Sequence, residues 1–137
     1  MTELYFVRHG KTRQNMLHMI QGRTDFPLSE RGKAEVRDFA ERYRQNGLVF
    51  DVIYSSPLLR ARESAEIFRE IFGYRGEIII DPGFTERDFG KAEGKTISEE
   101  VYRKIVADDF PGIEKSADIE KRVAAEAVNV AEENEGK

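Results

Sequence analysis

The chain has 137 residues, a formal net charge of −4 and no cysteine. This length suits one domain with a hydrophobic core, and the acidic balance argues against nucleic acid as a partner. The absence of cysteine excludes disulfides, thiolate catalysis and cysteine-bound metals. No apolar run approaches the roughly 20 residues that cross a bilayer, and the first element has no leader pattern before it. The sequence therefore predicts a cytoplasmic protein without a membrane partner.

The first predicted element is a strand at Leu4–Val7, an apolar run typical of strands buried on both faces of a parallel sheet. The run ends abruptly in Arg8-His9-Gly10. Burying Arg8 and His9 beside a core strand would be costly without partners. At the carboxyl edge of a strand, both side chains can instead point into the crevice where open α/β sheets bind ligands. We therefore expect Arg8 and His9 to belong to a functional site.

The remaining elements alternate between helix and strand, which predicts an α/β protein with a mostly parallel central sheet. Helix boundaries are placed by capping residues, by proline in a first turn and by glycine after a last turn. An irregular segment (residues 11–28) comes first, followed by a helix that Ser29 caps and Gly47 ends and by a strand (49–54). The next helix is capped by Ser56, has Pro57 in its first turn and ends at Gly73, and a strand (77–81) and a charged loop (84–97) follow it. Ser98 then opens a helix that Pro111-Gly112 interrupts, and a last helix spans residues 116–135.

Apolar residues at helical spacing predict the buried faces of three of these helices. The last helix has such a face but no strand follows it, although a crossover helix normally leads to another strand. The sequence therefore predicts a sheet that lacks its last strand. The predicted faces are Val36, Phe39, Ala40 and Tyr43 in the first helix, Ala61, Ala65, Phe68 and Phe72 in the second, and Ile119, Val123, Ala127 and Val130 in the last.

His9 is the first candidate for chemistry. A neutral imidazole attacks phosphorus through one ring nitrogen while a hydrogen bond holds the other nitrogen as a donor. Arg8 and the backbone amide of Gly10 would then neutralise and cradle the transferring group. An isolated histidine at the end of a strand more often only hydrogen-bonds its neighbours, so the residue alone leaves both interpretations open.

Arg60 and Arg62 lie in the first turns of the helix that follows Pro57. A helix N-terminus offers free amides and the positive end of a dipole, and a guanidinium adds bidentate recognition of phosphate. A solvated cationic surface is the more common role of arginine. Cations near a helix N-terminus are mildly unfavourable, however, and such breaks of a local rule favour a functional interpretation.

Glu86, in the charged loop, is the candidate proton donor, since a carboxyl group in a partly desolvated loop can hold its proton near neutral pH. Asp88, Glu93 and several other acids lie nearby, and because most of them must be plain surface charges, that interpretation stays open for Glu86 as well.

Three residues on the loop after the first strand, Asn15, Gln21 and Gly22, offer amide groups to a phosphate or a sugar. His18, between Leu17 and Met19, is expected to pack within that loop. With two histidines and no cysteine, a metal site is not expected.

Four segments together resemble, in order and spacing, successive blocks of the histidine phosphatase superfamily, the family of cofactor-dependent phosphoglycerate mutases and related phosphatases. They cover most of residues 4–94, and their joint occurrence is far more specific than a lone Arg-His-Gly. The segments are LYFVRHGKTRQN, QGRTDFPLSERG, DVIYSSPLLRARESAEIF and FTERDFGKAEG.

The resemblance implies a three-layer α/β/α fold, a phosphohistidine intermediate and a small phosphorylated substrate, with no cofactor or metal. The phosphoryl group would move to the histidine and then to water in a phosphatase, or to a second hydroxyl in a mutase. The implied roles are His9 as nucleophile, Arg8 and Arg60 as phosphoryl ligands, Asn15 with Gln21 and Gly22 as pocket residues, and Glu86 as acid–base residue.

The resemblance also implies a second catalytic histidine on a later strand of the type VSHGG, which this chain does not contain. Removing one donor to a developing oxyanion typically costs ~10²–10³ in rate. In the family that strand lies near the first strand, so its absence implies unpaired backbone groups or an exposed sheet edge that recruits another chain. Residues 1–137 are therefore expected to form a single, incomplete phosphoglycerate mutase-like domain.

Three functions remain open on the sequence. The first is a phosphomonoester hydrolase, preferred to a mutase, that is part of a longer parent or completes its site through another chain. The second is a phosphate-binding protein with little turnover. The third is an interaction module that forms homo-oligomers or other contacts through its exposed sheet edge or its last helix.

Overall fold

The computed structural model describes residues 1–137 and contains five helices, two short strands and two 3₁₀ turns. Their alternation along the chain is that of an α/β protein. The helices are α1 (Arg13–Met16), α2 (Glu30–Gln45), α3 (Leu59–Phe72), α4 (Glu99–Val106) and α5 (Ser116–Glu133); the strands are β1 (Tyr54–Ser55) and β2 (Ile79–Ile80); the 3₁₀ turns are Pro82–Phe84 and Gly90–Ala92.

Helices α2 and α3 pack on each other and carry the main hydrophobic core. The Ser29 side chain accepts a hydrogen bond from the amide of Gly32, which fixes the start of α2 as the sequence predicts. Gly73 ends α3 in the left-handed conformation, with φ of 64°, which glycine adopts without steric cost. The core cluster comprises Leu28, Val36, Ala40, Ile67, Phe68 and Ile71.

The predicted apolar face of α2 is only half correct. Val36 and Ala40 are buried, but Phe39 and Tyr43 remain 37% and 42% exposed. Their rings pack on each other at 4.6 Å between centroids. Phe39 also contacts Phe68 of α3 at the edge of the core. These two aromatics therefore cover the rim of the helix pair and do not fill its interior.

The sheet consists of β1 and β2, which run parallel with Tyr54 opposite Ile79 and Ser55 opposite Ile80. Both strands are shorter than the predicted strands at residues 49–54 and 77–81. A backbone segment becomes a strand only where a neighbour supplies ladder hydrogen bonds. Val49, which has no such neighbour, is 81% exposed.

The prediction of a buried strand at Leu4–Val7 is wrong for this structure. The segment has no regular secondary structure, and its four side chains are between 39% and 69% exposed. No backbone hydrogen bond joins the segment to another element. The residues before it are tied to the end of α5, because the Thr2 hydroxyl donates to the Ala131 carbonyl at 2.7 Å and the Glu3 amide donates to the Lys137 carbonyl at 3.0 Å. The segment lacks the strand partner that its composition requires.

Three predicted boundaries also differ. Helix α3 begins at Leu59, later than predicted. The Ser56 hydroxyl accepts from the amide of Leu58, the residue directly before the helix, and does not cap the helix itself. Helix α4 is capped by Ser98, as predicted, but ends at Val106 and so does not reach the proline that was expected to interrupt it. The segment at residues 11–28 contains helix α1, which Thr12 caps.

No helix of the chain combines the length and the apolar character needed to cross a bilayer.

The core of the helix pair provides a direct test of the fold. Ile71 is 92% buried in the α2–α3 cluster, so Ile71→Ala removes packed methylene groups and leaves a cavity. We expect the free energy of unfolding to fall by about 2–5 kcal/mol in urea titrations followed by circular dichroism. Val128→Ala, on the exposed side of α5, should change it by less than about 0.5 kcal/mol. Equal effects of the two substitutions would contradict this assignment of the core.

Candidate active site

Four of the predicted site residues line one cleft. Arg8, His9, Arg60 and Glu86 all contribute to the walls of a cavity of about 570 Å³ at the amino-terminal end of α3. Asn15, Gln21 and Gly22 do not line this cleft. The structure therefore brings together the predicted nucleophile His9, the predicted phosphoryl ligands Arg8 and Arg60, and the predicted acid Glu86.

The imidazole of His9 is held in one tautomer. Its Nδ1 lies 2.6 Å from the carbonyl oxygen of Gly10, and because a carbonyl oxygen only accepts, Nδ1 must carry the proton. Nε2 of the neutral ring then keeps its lone pair. Burial lowers the pKa of His9 below its ordinary value of 6.5, and the charges of Arg60 and Arg8 lower it further, against the Gly10 hydrogen bond and Glu86, which raise it. The ring is therefore poised as a neutral nucleophile near pH 7.

Gly10 is fixed by α2 and α3. Its amide donates to the Ser64 hydroxyl at 2.9 Å, and that hydroxyl donates to the Arg60 carbonyl at 2.7 Å. A Cβ at Gly10 would lie 2.6 Å from a methyl carbon of Val36, so only glycine fits against α2. The prediction that the Gly10 amide is free to cradle a phosphoryl group is wrong here, because Ser64 already accepts from it.

Ser64 is a positioning residue that the sequence reading missed. It is 5% exposed and connects the backbone at His9-Gly10 to the first turn of α3. The signal was present, since a serine four residues after Arg60 on the buried side of a helix requires hydrogen-bond partners there. Without knowledge of the fold, those partners could not be named.

Arg60 is the most buried charged side chain of the site, at 1% exposure. Its Nη1 donates to the Thr24 carbonyl at 2.9 Å and its Nη2 donates to the Gly22 carbonyl at 2.5 Å. The remaining Nε is the one buried side-chain polar atom of the chain without a hydrogen-bond partner. Burial lowers the pKa of Arg60 from its ordinary value, while Glu86, Asp25 and Glu93 oppose this shift. An unpaired buried donor on a guanidinium is costly, and an anion would satisfy it.

The amino terminus of α3 is not an open anion site. Asp25 accepts from the Leu59 amide at 2.7 Å, so a carboxylate of the chain itself already occupies the positive end of this helix. The prediction that the helix end offers free amides to a phosphate is therefore corrected. The anion-binding capacity of this region lies in the Arg60 side chain.

Gly22 and Glu93 stabilise the loop whose carbonyl groups accept hydrogen bonds from Arg60. Gly22 has φ of +53°, and a Cβ there would lie 2.5 Å from the Glu93 carboxylate. Glu93 accepts from the amide and the hydroxyl of Thr24 at 2.9 and 2.6 Å, and from the Phe89 amide at 3.1 Å. The expectation that Glu93 is a plain surface charge is wrong, because it joins the two loops that flank Arg60.

Asn15 and Gln21 converge on Thr12, which is fully buried. The Asn15 side chain accepts from the Thr12 amide at 2.9 Å, and the Thr12 hydroxyl donates to the Gln21 side chain at 2.8 Å. The amide nitrogens of the two side chains take part in no hydrogen bond. Both residues therefore support the loop through their oxygen atoms and keep their donors available.

Glu86 and Arg8 are exposed at the mouth of the cleft. The Glu86 carboxylate accepts from the Arg87 amide at 2.7 Å, and its backbone carbonyl accepts from Arg23 Nε at 3.3 Å. Arg8 makes no hydrogen bond. These two side chains can therefore adjust to a ligand, in contrast to the fixed His9 and Arg60.

A group of ion pairs, also missed by the sequence reading, fastens the Glu86 loop to the segment before α5. Arg87 donates to the Asp108 carboxylate at 2.6 Å and to the Glu114 carbonyl at 2.8 Å. Arg122 binds both oxygens of the Glu114 carboxylate at 3.0 Å. Hydrogen bonds from Arg122 lower the pKa of Glu114, and hydrogen bonds from Ser116, followed by the charge of Arg87, lower the pKa of Asp108. The chain on the carboxyl side of Glu86 is thus anchored.

His18 is exposed with φ of 55°, so the prediction that it packs within its loop is wrong. Its carbonyl instead accepts from the Ile97 amide at 2.8 Å. No group of three or more histidine, cysteine, aspartate or glutamate residues could hold a metal ion.

The fold and the site define an α/β protein of the phosphoglycerate mutase type. The model of the histidine phosphatase superfamily (branch 1) matches residues 4–137, and the chain belongs to this family. The resemblance carried by the four sequence segments is thereby confirmed.

Curated relatives include phosphatases and mutases. The "Uncharacterized phosphatase PhoE" of Bacillus subtilis is 38% identical over 103 residues, which cover 75% of this chain and 51% of the relative. A "Probable phosphoglycerate mutase GpmB" of Photorhabdus laumondii is 37% identical over 117 residues, which cover 82% of this chain and 53% of the relative. The chain thus spans about half the length of the curated relatives it matches.

Solved structures confirm the fold class. YhfR of Bacillus stearothermophilus superposes with a TM-score of 0.78 at 29% identity, covering 94% of this chain and 67% of that one. A mutant phosphoserine phosphatase of Entamoeba histolytica, in complex with phosphoserine, superposes with a TM-score of 0.76 at 31% identity, covering 94% and 66%. The α/β prediction with a parallel sheet is therefore confirmed.

The electrostatics of the cleft can be tested on the pKa of His9. Because Arg8 lowers this pKa, Arg8→Met should raise it, and because Glu86 raises it, Glu86→Gln should lower it further. The measurement is an NMR titration of the His9 ring protons between pH 4 and 8, with His18→Asn to assign the second histidine. Arg13→Met, an exposed change on α1, should leave the midpoint in place. Shifts of the same sign in the two test variants would contradict the arrangement.

Proposed function

We propose that this chain carries the phosphoryl-accepting site of a phosphomonoester hydrolase that works through a phosphohistidine on His9. The observation that carries the proposal is the pairing of a neutral His9, held through Nδ1, with a buried Arg60 whose Nε lacks a partner. The substrate is a small phosphorylated molecule, bound between the arginines. Residues 1–137 form a single, incomplete domain of the phosphoglycerate mutase type, located in the cytoplasm.

The first step is attack on phosphorus. The lone pair of His9 Nε2 forms the N–P bond while the P–O bond to the leaving alkoxide breaks. Arg60 Nε and the Arg8 guanidinium bind the phosphoryl oxygens and stabilise the charge that they carry in the transition state. The Glu86 carboxyl group gives its proton to the leaving oxygen, which departs as an alcohol.

The second step regenerates the histidine. Water attacks the phosphorus, the Glu86 carboxylate takes a proton from that water, and the N–P bond breaks to release inorganic phosphate. Gly22 would orient Arg60 through its carbonyl, and Asn15 and Gln21 would support the same loop through their hydrogen bonds with Thr12. The exposed position of Glu86 suits a group that exchanges protons with solvent between the two steps.

Hydrolysis is preferred to transfer to a second hydroxyl. A phosphatase in Bacillus subtilis and phosphoserine phosphatase structures are among the similar proteins, and the cleft is open to water beside Glu86. Similarity to probable phosphoglycerate mutases supports the mutase as the second candidate. In the mutase, the hydroxyl of a bound acceptor would replace water in the second step.

Loss of the nucleophile should abolish covalent chemistry. With p-nitrophenyl phosphate as substrate, His9→Ala should show no phosphate release above the uncatalysed rate and no acid-labile phosphoprotein after rapid quench. His18→Asn is the matched control, because asparagine tolerates the positive φ at that position, and it should retain both signals. A phosphoprotein that persists in His9→Ala would remove His9 from the role of nucleophile.

The role of Glu86 is tested by leaving groups of different basicity. General acid catalysis contributes about 10²–10⁴-fold, and it matters most for alkoxides that cannot leave unprotonated. Glu86→Gln should therefore reduce kcat/KM for an alkyl phosphate by about 10²-fold or more and reduce it far less for p-nitrophenyl phosphate. Glu41→Gln, on the exposed surface of α2, provides the control. Equal losses with both substrates would exclude an acid role for Glu86.

A further inference from the structure

Helix α4 lies on the surface of the fold and has no buried residue. Its most exposed apolar side chains form one stripe, because residues four apart share a helix face. Tyr102 and Val106 are each 61% exposed, and Ile97, which stands before the cap and typically packs towards the fourth helical residue, is 53% exposed. Val101 and Ile105, beside the stripe, are half-buried. The stripe is therefore an apolar surface that residues 1–137 do not cover.

Two charges of opposite sign flank this stripe. Glu99 precedes Tyr102 by one helical turn and Arg103 precedes Val106 by one turn, so both stand beside the exposed apolar side chains. Neither charge takes part in an ion pair of the chain. The acid lies in the first turn and the base in the last, which suits the helix dipole. The helix thus presents an acid near one end and a base near the other, each without a partner.

The segment at residues 97–106 is complementary to its own reverse. When residues at equal distances from its midpoint are compared, apolar residues match apolar residues and acids match bases. The exception is Ser98, the helix cap, which matches Ile105. A surface that fits its own two-fold copy is what an isologous interface between identical chains requires. The matched pairs are Ile97 with Val106, Glu99 with Lys104, Glu100 with Arg103 and Val101 with Tyr102.

We propose that α4 pairs with α4 of a second copy of this chain, antiparallel about a two-fold axis beside Tyr102. In this register Ile97 of each copy packs on Val106 of the other. The two-fold axis is perpendicular to both helices and keeps each flank on its own side, so Glu99 of one copy meets Arg103 of the other. Along the helix axis these two residues are offset by about one residue, roughly 1.5 Å, which their long side chains span.

Apolar contact supplies the affinity of this pair and charge fixes its direction. Two faces of an eight-residue helix bury less than the roughly 1,200 Å² of a stable complex, so we expect a dissociation constant on the order of 0.1 mM. Exposed ion pairs add little affinity but select orientation. A parallel pair would set Glu99 against Glu99 and Arg103 against Arg103. This surface is distinct from the sheet edge and the last helix, and the association does not depend on the proposed function.

Charge reversal tests the register by sedimentation equilibrium of the full chain between about 10 µM and 1 mM. Glu99→Lys and Arg103→Glu each set like charges against each other in a homodimer, so each variant alone should associate at least about fivefold more weakly than the unaltered chain. An equimolar mixture of the two variants restores an unlike pair on both sides of the axis. We expect the mixture to recover the affinity of the unaltered chain to within about threefold.

Two variants with the same changes of charge serve as controls. Glu120→Lys and Lys121→Glu, on the exposed surface of α5, should leave the dissociation constant unchanged. Three results would each overturn the proposal. The first is an unaltered chain that stays monomeric up to about 1 mM. The second is undiminished association of the two α4 variants, with their folding verified by circular dichroism. The third is a mixture of these variants that associates no more tightly than its components.

NMR spectra of the unaltered chain make the test independent of the variants. Over the same range of concentration, the backbone amide signals of residues 97–106 should shift in proportion to the fraction of dimer, while those of α2 stay in place. Shifts confined to residues outside 97–106 would assign the association to another surface and refute the pairing of α4 with its copy. The absence of any shift in a chain that sediments as a dimer would refute it as well.

Discussion

The burial of the Arg60 guanidinium determines how the loops around the cleft are arranged. Arg60 is 1% exposed, and the carbonyl groups of Gly22 and Thr24, in place of a carboxylate, accept hydrogen bonds from two of its nitrogens. Carbonyl partners leave the side chain cationic and keep Nε unpaired, whereas an ion pair would have cancelled the charge. The loop that supplies the carbonyls is held by Glu93, so an acid remote from the imidazole maintains the electrostatic character of the cleft.

The backbone beside His9 is connected to Arg60 through Ser64. The hydroxyl of this residue receives the Gly10 amide and gives its own proton to the Arg60 carbonyl, which ties the backbone beside His9 to the helix that carries the guanidinium. The Gly10 carbonyl in turn fixes the imidazole tautomer. The position of the His9 ring relative to Arg60 is thus set by a short chain of hydrogen bonds and not by sheet geometry. This explains how the pairing survives although residues 4–7 form no strand.

Local rules of sequence predicted the helices, and four of the candidate site residues line one cleft. Ser29 and Ser98 cap helices as expected, and Arg-His-Gly after an apolar run correctly indicated a cleft. The same rules could not predict whether Leu4–Val7 forms a strand, because that depends on a neighbour that local sequence does not provide. Ser64 and Glu93 were missed for a related reason. Their hydrogen-bond partners lie 54 and 69 residues away in the sequence, and the periodic spacing of residues gives no information about contacts at such separations.

The contacts between the two ends of the chain have a consequence for how the site is assembled. Thr2 binds Ala131 across 129 residues of sequence, and Met1 binds Glu135 across 134. Loops of this length close late in folding, because the chain must lose conformational entropy before the contact between its ends can stabilise the fold. The segment that leads to His9 is therefore anchored by residues that are synthesised long after it. We therefore expect the segment before His9 to be held in place only after α5 has formed, later than the Gly10–Ser64 contact beside the imidazole.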